Sequence, residues 1–488
     1  MRLRTKTAKG ITWSIASQLT RLVFGFVVLA VLAHLLKPSD FGLMAMVMVF
    51  ANLFSFMNDL GLSAAIIQKH DLTEEHLSSA FWLNLLAGIA ITAVFLALAP
   101  LIAMFYSKGV LTPMVMVLSV MFTVSSVGTI QVALFQKRMD FRILAIIEIS
   151  ASILAGATAI VLAALGFGVW SLVSQILLVT FVMAVLAFTL SGWKPKLMFR
   201  WQPVRELLFY SLPVMGDSIA YFFSRNLDNL LIGKFLGSFQ LGFYDIAYRI
   251  LLFPLGNISL VIGRVMFPAL SLIQDDKEAV RNAYERATSY ISAISFPLMA
   301  GLAVLAPQLV RVALGLKWER SIFIIQILSL VGLVQSVTIT INWIYLSQAR
   351  TATLFKFGLF VTAFYAVAFA IGLQWNIEGV AVSYAIAVSL LIYPAFAIPF
   401  RYIDLPFWHF ARQFLTIALA AGGMACVILG VRMLFEKVLN LGDLPVLVIG
   451  AVLGVTSYLG ILMLIDRNLL KGLLEIARDV KASQESAA

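Results

Sequence analysis

The sequence predicts an all-α polytopic membrane protein with about fourteen transmembrane helices, arranged as two parallel six-helix repeats plus two C-terminal helices. Three observations support this fold class. Of the 488 residues, 61% are hydrophobic and only 12% are charged, whereas a soluble domain carries about 25% charged residues. Apolar runs of about 20 residues, the length that crosses a bilayer, follow one another along the chain. The chain also repeats itself, which predicts two copies of one helical unit.

The spans are predicted from apolar runs that are separated by polar connections. They cover 11–36, 41–66, 80–106, 112–135, 143–165, 168–190, 208–234, 240–267, 289–314, 321–346, 353–373, 377–399, 411–433 and 444–465. Tryptophan side chains favour the membrane–water boundary. Those near the predicted span ends are Trp13, Trp82, Trp193, Trp201, Trp318, Trp375 and Trp408.

The net charge of +11 does not indicate nucleic-acid binding, because the basic residues fall in alternate loops, as in inner-membrane proteins. This alternation predicts that both termini are cytoplasmic. The basic N-terminus precedes an apolar run with no small-residue cleavage site, so it is not interpreted as a removed signal peptide. The single cysteine, Cys426, excludes an intrachain disulfide and thiolate metal clusters. No metal and no cofactor are predicted.

The internal repeat is visible in three pairs of segments. HLLKPSDFG (34–42) aligns with KFLGSFQLG (234–242) at an offset of 200 residues. Two later pairs align in the same order at offsets of 210 and 211 residues. The repeat predicts an N-terminal lobe over 1–200, a second lobe over 201–405, two extra helices over 406–466 and a cytoplasmic tail over 467–488. Because each copy has six helices, an even number, the two lobes share their orientation.

Polar side chains at membrane depth are the candidate site residues, since each charge near the bilayer centre costs about 2.5–3.5 kcal/mol. The first helix of each copy carries a polar stripe, and we expect both stripes to face a cavity between the lobes. The expected substrate-binding residues are Gln18, Arg21, Tyr221, Arg225, Asp228, Asn229 and Arg264. Arg21 and Arg264 have no obvious local partner, and arginine suits phosphate oxygens.

Two alternatives stay open for these charges. Arg225–Asp228 and Asp245–Arg249 have the spacing of ion pairs on one helix face, so each pair is either structural or part of the site. Glu148 lies close to the basic start of the predicted span 143–165, so it is expected to form a structural ion pair there.

Asp59 and Asp217 are the candidate ion-coupling carboxylates. Asp59 lies in Asn-Asp-Leu-Gly, where a helix end is expected, so a capping role is weighed equally with a functional one.

Catalytic motifs are absent from the sequence. It contains no phosphate-binding P-loop and no His-Glu-x-x-His. A membrane-embedded polymerase or glycosyltransferase needs a long polar loop that carries catalytic groups, and no such loop is present. The sequence therefore predicts a transporter and not an enzyme.

Seven segments carry a resemblance to a known family. They are RNLDNLLIGKFLG (225–237), LGFYDIAYR (241–249), VMFPALSLIQDD (265–276), KTAKGITWS (6–14), FGL (41–43), DLGLSAAIIQ (59–68) and GLKW (315–318). They resemble the bacterial polysaccharide flippases of the Wzx type. Within that family the chain looks most like the WzxC-like branch of colanic acid and lipopolysaccharide exporters. The resemblance covers the first twelve predicted spans, and the last two match only in hydrophobicity.

The resemblance implies membership in the multidrug/oligosaccharidyl-lipid/polysaccharide exporter superfamily. It implies an inner-membrane flippase that moves undecaprenyl-diphosphate-linked oligosaccharide units by alternating access. The implied partners are the lipid-linked oligosaccharide, the bilayer, and the polymerase and chain-length regulator of the same pathway. The alternatives are a multidrug or small-cation antiporter of the same superfamily and a lipid II flippase. An antiporter would need a cavity dominated by carboxylates, whereas the arginines here at least match the acids.

Overall fold

A computed structural model of the chain describes the backbone of residues 2–69, 71–437, 442–467 and 469–472. Within these segments, the side chains of some helical residues lie outside the described residues. They are 2–17, 19, 56, 203, 206–221, 223–225, 253–265, 267–268 and 437. The described residues form two compact units, one ending at Gly242 and one beginning at Phe243.

All the regular secondary structure described in the first unit is helical. In chain order they are α1 (Arg2–Leu35), α2 (Pro38–Asn58), α3 (Leu62–Gln68), α4 (Glu74–Tyr106), α5 (Leu111–Arg138), α6 (Phe141–Ala164) and α7 (Val169–Leu190). Helix α8 (Trp201–Leu272) begins in this unit. It is kinked at Gly237, whose φ of 83° and ψ of 176° are not helical.

The second unit continues α8 and adds seven α-helices. They are α9 (Lys277–Leu309), α10 (Arg320–Thr338), α11 (Ile341–Ser347), α12 (Thr351–Gly372), α13 (Asn376–Phe400), α14 (Phe407–Lys437) and α15 (Asp443–Ile465). A π-helical turn at Val310–Leu314 extends α9, and short 3-10 turns lie at Leu316–Trp318 and Leu373–Trp375.

Helix length and composition confirm the all-α polytopic membrane class. Within the described residues, ten helical segments are long and apolar enough to cross a membrane. Many large apolar side chains on these helices are exposed, among them Leu415 and Val455 at about three-fifths of their surface. In water this exposure would be costly, whereas in a bilayer these side chains contact lipid.

The predicted span 41–66 is interrupted, because α2 ends at Asn58 and α3 begins at Leu62. Leu60 and Gly61 between them have φ values of 49° and 68°. This left-handed backbone cannot continue a right-handed helix. The Asn-Asp-Leu-Gly sequence therefore ends a helix, as its turn residues predict.

The tryptophan prediction is only partly correct. Trp201, Trp375 and Trp408 are 58–72% exposed, as boundary residues should be. Trp318, by contrast, is fully buried against the ring of Phe243, with 5.7 Å between ring centroids. Trp193 is also buried. Its indole N–H donates to Glu74 Oε1 on α4 at 2.9 Å, so the ring is used for packing within the first unit.

The last two helices pack on α9 within the second unit. A Cβ on Gly450 would lie 3.0 Å from a methyl group of Leu305, and one on Gly454 would lie 2.7 Å from Ile428. The hydroxyl of Tyr458 donates to the carbonyl of Ala293 at 2.8 Å. The small residues of the GxxxG pair in α15 are therefore used for packing inside this unit.

Candidate functional site

The first unit contains an ion pair between two packed helices. Arg21 on α1 contacts Glu148 on α6, with 2.9 Å between Nη1 and Oε2. Gly156 of α6 lets the helices approach, because a Cβ there would lie 2.8 Å from Val28 and 3.0 Å from Phe24 of α1. Helical spacing puts Arg21, Phe24 and Val28 on one face, so the same close packing that seats Gly156 also brings the two charges together.

Glu148 does form an ion pair, but the expected partner was wrong: Arg21 on α1 binds it, not the basic residues at the start of its own span. As expected, Arg21 has no partner nearby in the sequence, but in the fold it is paired with Glu148. The two side chains keep 35% and 27% of their surface exposed. The Nε of Arg21 is buried and has no hydrogen-bond partner among the described residues. Arg21 is thus charged and held in position, yet it keeps one donor that Glu148 does not use.

Gln18 lies on the same side of α1, one helical turn before Arg21. Its side chain is half-buried. The polar stripe predicted on the first helix therefore includes the ion-paired arginine and an amide next to it.

Two more candidates lie on the N-terminal part of α8. Asp228 is buried, at 4% exposure, and its Oδ1 accepts a hydrogen bond from the backbone N–H of Asn229 at 2.8 Å. The Oδ1 of Asn229 is itself buried without a hydrogen-bond partner among the described residues. Buried polar atoms are usually paired, so this amide oxygen marks a polar position at membrane depth.

Four predicted site residues have side chains outside the described residues. They are Asp217, Tyr221, Arg225 and Arg264. Their assignments, and the expected Arg225–Asp228 pair, stay predictions.

Asp59 caps the helix break between α2 and α3. Its Oδ1 accepts hydrogen bonds from the hydroxyl of Ser63 at 2.7 Å and from the Ser63 N–H at 3.3 Å. The capping alternative is therefore confirmed, since the first turn of a helix leaves N–H groups that need acceptors. A role in ion coupling stays a prediction.

The Asp245–Arg249 pair forms as its spacing predicts, in the second unit. Arg249 Nε donates to Asp245 Oδ2 at 2.7 Å, and the carboxylate is nearly buried while the guanidinium is half-exposed. This geometry is that of a pair which neutralises a buried acid.

The repeated segments 34–42 and 234–242 meet at one end of the first unit. A Cβ on Gly42 would lie 1.7 Å from the carbonyl oxygen of Ser238, and one on Gly242 would lie 1.9 Å from that of Pro38. Pro38 and Ser238 occupy equivalent positions in the two copies, as do Gly42 and Gly242. The contact is therefore reciprocal, and both glycines are required for it because any side chain would clash with backbone.

Sequence reasoning missed several buried amides on this unit's helices, among them Asn58 and Gln131. Asn58 donates to the hydroxyl of Ser125 at 2.8 Å, but its Oδ1 is buried and unpaired among the described residues. Gln131 is fully buried, and neither of its amide atoms has a partner in the described part of the chain. The sequence does contain a signal for them, because an amide side chain inside an apolar span costs free energy unless it is paired.

Across the described residues, no group of three or more His, Cys, Asp or Glu side chains is arranged to hold a metal ion.

Comparison with known proteins identifies the family. The family model described as "Polysaccharide biosynthesis protein" matches residues 31–323. The chain belongs to this family. Among its relatives is the lipopolysaccharide biosynthesis protein WzxC of Escherichia coli (strain K12), which is 32% identical over 380 residues. That match covers 77% of this chain and 76% of WzxC.

A second relative in this family is the succinoglycan biosynthesis transport protein ExoT of Rhizobium meliloti (strain 1021). It is 28% identical over 319 residues, covering 64% of each chain. The resemblance to Wzx-type proteins drawn from the sequence is therefore confirmed.

Solved structures agree on the fold of this family member. The lipid II flippase MurJ in an inward closed conformation matches with a TM-score of 0.75 and 17% identity, covering 94% of this chain and all of MurJ. An inward-facing multidrug resistance MATE transporter matches with a TM-score of 0.65 and 14% identity, covering 80% of this chain and 98% of that one. At these identities the likeness shows the fold alone.

Proposed function

We propose that this protein is an inner-membrane flippase for polysaccharide repeat units carried on undecaprenyl diphosphate. The observation that carries the proposal is the family match over residues 31–323, together with relatives named for polysaccharide biosynthesis and transport. The protein moves a substrate and does not transform it, so it needs binding groups and a conformational change rather than catalytic residues.

The architecture we propose is about fourteen spans, with parallel lobes over 1–200 and 201–405, two extra helices over 406–466 and a tail over 467–488. The reciprocal contact of Gly42 with Ser238 and of Gly242 with Pro38 supports it. Equivalent residues that exchange contacts in this way are expected around a two-fold axis, and a six-helix repeat in parallel orientation has such an axis along the membrane normal.

Arg21 is the described residue that best suits the diphosphate. A lone guanidinium at membrane depth is costly, so a partner must hold it while no substrate is bound, and Glu148 does so at 2.9 Å. We propose that the diphosphate displaces Glu148, because arginine binds phosphate oxygens through two parallel N–H bonds. Arg225 and Arg264 are proposed to complete the cationic cavity between the lobes, which the protein would open alternately to each side.

The antiporter alternative needs carboxylates that are free to bind a cation. Among the described side chains, Asp59 caps a helix, Glu148 pairs with Arg21 and Asp245 pairs with Arg249. The buried Asp228 accepts a hydrogen bond from the Asn229 N–H. These four acids are already engaged, which favours an anionic substrate. A lipid II flippase shares the fold, so the choice between the two lipid-linked substrates rests on the polysaccharide relatives.

The direct test is transport by the purified protein in liposomes. A fluorescent undecaprenyl-diphosphate oligosaccharide in the inner leaflet should become accessible to an external glycosidase only in protein-containing vesicles. A lipid II analogue and a cationic drug serve as competing substrates in parallel vesicles. Transport of the drug alone, in exchange for protons or sodium, would replace our proposal with the antiporter.

Orientation is tested separately. We propose that both termini and the connection 191–207 are cytoplasmic. In a Cys426→Ala background, single cysteines in that connection should resist an impermeant thiol reagent added to intact spheroplasts and react after lysis. Labelling in intact spheroplasts would show that this connection is periplasmic, so that the topology is the inverse of the one we propose. Partnership with the polymerase and chain-length regulator is proposed from the pathway and is tested by co-purification.

A further inference from the structure

A surface cavity lies in the second unit where α13 ends and α14 begins. Its volume is about 260 Å³. The residues that line it are Tyr393, Ala397, Phe400, Arg401, Asp404, Leu405, Pro406 and Phe407. Apolar membrane-length segments end at Phe400 and begin again at Phe407, so the cavity lies at the boundary between the bilayer and water.

One wall of the cavity is cationic. Arg401 is exposed, and its guanidinium makes no hydrogen bond or ion pair with any described residue. The carboxylate of Asp404 is already neutralised, because Lys277 Nζ donates to its Oδ2 at 2.8 Å. This hydrogen bond and the lysine charge hold the pKa of Asp404 below its usual value.

Arg281 adds to the positive charge by donating to the backbone carbonyl of Asp404 at 3.0 Å. Lys277 and Arg281 thus both bind Asp404, and Arg401 lines the same cavity, so three cations accompany the one carboxylate that lines it. The free guanidinium and the net positive charge favour an anion.

The opposite wall is aromatic. Tyr393 is 59% exposed and meets Phe407 edge to face, with 5.2 Å between ring centroids. Phe407 in turn contacts Trp408, which is 72% exposed. Exposed aromatic rings at this depth are typical of the headgroup region. A soluble anion would gain nothing from such a wall, whereas a lipid would place its glycerol and upper acyl carbons against it.

We propose that this cavity binds the phosphodiester headgroup of an anionic phospholipid, with Arg401 on the phosphate and Tyr393 and Phe407 along the glycerol. This site is separate from the transport site and does not depend on the transported substrate. Its effect is to attach the junction between α13 and α14 to the cytoplasmic leaflet, which we propose is the side it faces.

The test measures lipid retention on the full-length protein by native mass spectrometry. Phosphatidylglycerol and phosphatidylcholine with identical acyl chains are added to the delipidated protein in detergent. We expect Arg401→Gln to weaken phosphatidylglycerol binding about five-fold, the equivalent of ~1 kcal/mol per basic residue at a membrane surface. Arg401→Lys keeps the charge and should weaken it less.

The matched control is Arg412→Gln. It removes the same charge from an exposed arginine on the first turns of α14 that does not line the cavity, and it should leave phosphatidylglycerol binding unchanged. If Arg401→Gln and Arg412→Gln weaken phosphatidylglycerol binding equally, the binding depends on the overall positive charge of the surface, and the proposed site is refuted. Equal binding of phosphatidylcholine would show that the headgroup charge is not recognised, which also overturns it.

A last arm separates lipid from free phosphate. Millimolar inorganic phosphate should not displace phosphatidylglycerol, because phosphate cannot use the aromatic wall. Full displacement would mean that the cavity binds a soluble anion and would refute the lipid assignment. Melting temperatures of the variants in lipid-free detergent should match the parent, so a loss of binding is not a loss of folding.

Discussion

Replacing Gly42 or Gly242 with a larger residue should force two helices apart. Nothing larger than a hydrogen atom fits at either position, because each glycine lies against the backbone of the other repeated segment. In Gly42→Ala, the new methyl group would lie 1.7 Å from the Ser238 carbonyl oxygen. Ordinary van der Waals contact begins at 3.4 Å, so α2 and α8 must separate by about 1.7 Å there. Gly242→Ala forces a similar separation, since its methyl group would lie 1.9 Å from the Pro38 carbonyl oxygen and ordinary contact begins at 3.4 Å.

The magnitude follows from the nature of the clash. The obstacle is backbone, which cannot rotate away as a flexible side chain does, and forced overpacking of this kind costs about 1–3 kcal/mol. If the contact belongs to one of two conformations of a flippase, that cost shifts their ratio by about 5- to 150-fold towards the conformation in which these helix ends are apart.

The assay uses a cysteine at Ser238, which is 7% exposed, in a Cys426→Ala background. Ser238 makes the contact through its carbonyl, so changing its side chain leaves the contact intact. Gly42→Ala and Gly242→Ala should each raise the rate at which an impermeant maleimide labels this cysteine at least about five-fold. Gly109→Ala is the matched control, because a Cβ at Gly109 meets nothing within 4 Å. Parental labelling and unchanged transport in both glycine variants would refute the role of this contact.

Three further predictions concern charge. Arg21→Ala should lower the free energy of unfolding by about 1–2 kcal/mol, less than the loss expected for a fully buried pair. The double variant Arg21→Ala/Glu148→Ala should recover stability but not transport. If it also recovers transport, the pair is purely structural. Arg249→Met should lower the melting temperature in detergent more than Asp245→Asn, because only the first leaves a buried carboxylate unpaired; the reverse order would contradict this geometry. Collapsing the proton gradient should slow export if transport is proton-coupled, and an unchanged rate would favour flux driven by the substrate gradient.

Apolar periodicity predicts where the helices cross the membrane but not where they end. Helix α4 was predicted from residue 80 and begins at Glu74, and α9 was predicted from residue 289 and begins at Lys277. Both extensions are polar turns that project beyond the apolar segment, where hydropathy gives no signal. Their starts are set by caps, as at Asp276, whose carboxylate accepts from the N–H groups of the first turn.

Turn chemistry was more informative than hydropathy at the break after Asn58. The Asp-Leu-Gly that follows was visible in the sequence, and the left-handed backbone of Leu60 and Gly61 confirms it. The kink at Gly237 was less predictable. A gap between spans was expected at 234–240, but the helix continues on both sides of one non-helical residue. A single glycine can redirect a helix without a loop.

Local spacing finds ion pairs on one helix but not pairs between helices. Asp245 and Arg249 are four residues apart, so their pairing follows from helical geometry. Arg21 and Glu148 are paired only because α1 packs on α6, and that packing depends on Gly156. No rule of spacing connects such distant positions, and a sequence read alone therefore overstates how available Arg21 is.

The two described pairs differ in a way that bears on function. In Asp245–Arg249 the carboxylate is nearly buried, so opening the pair would leave an acid without solvent or partner, which is costly. In Arg21–Glu148 both side chains keep about a third of their surface exposed, so each charge has room to exchange its partner for another. A pair that must open for substrate should be only partly buried, because a fully buried pair resists opening. Of the two, Arg21–Glu148 is therefore the pair that we propose opens to bind a diphosphate, whereas we propose that Asp245–Arg249 holds its helix in place.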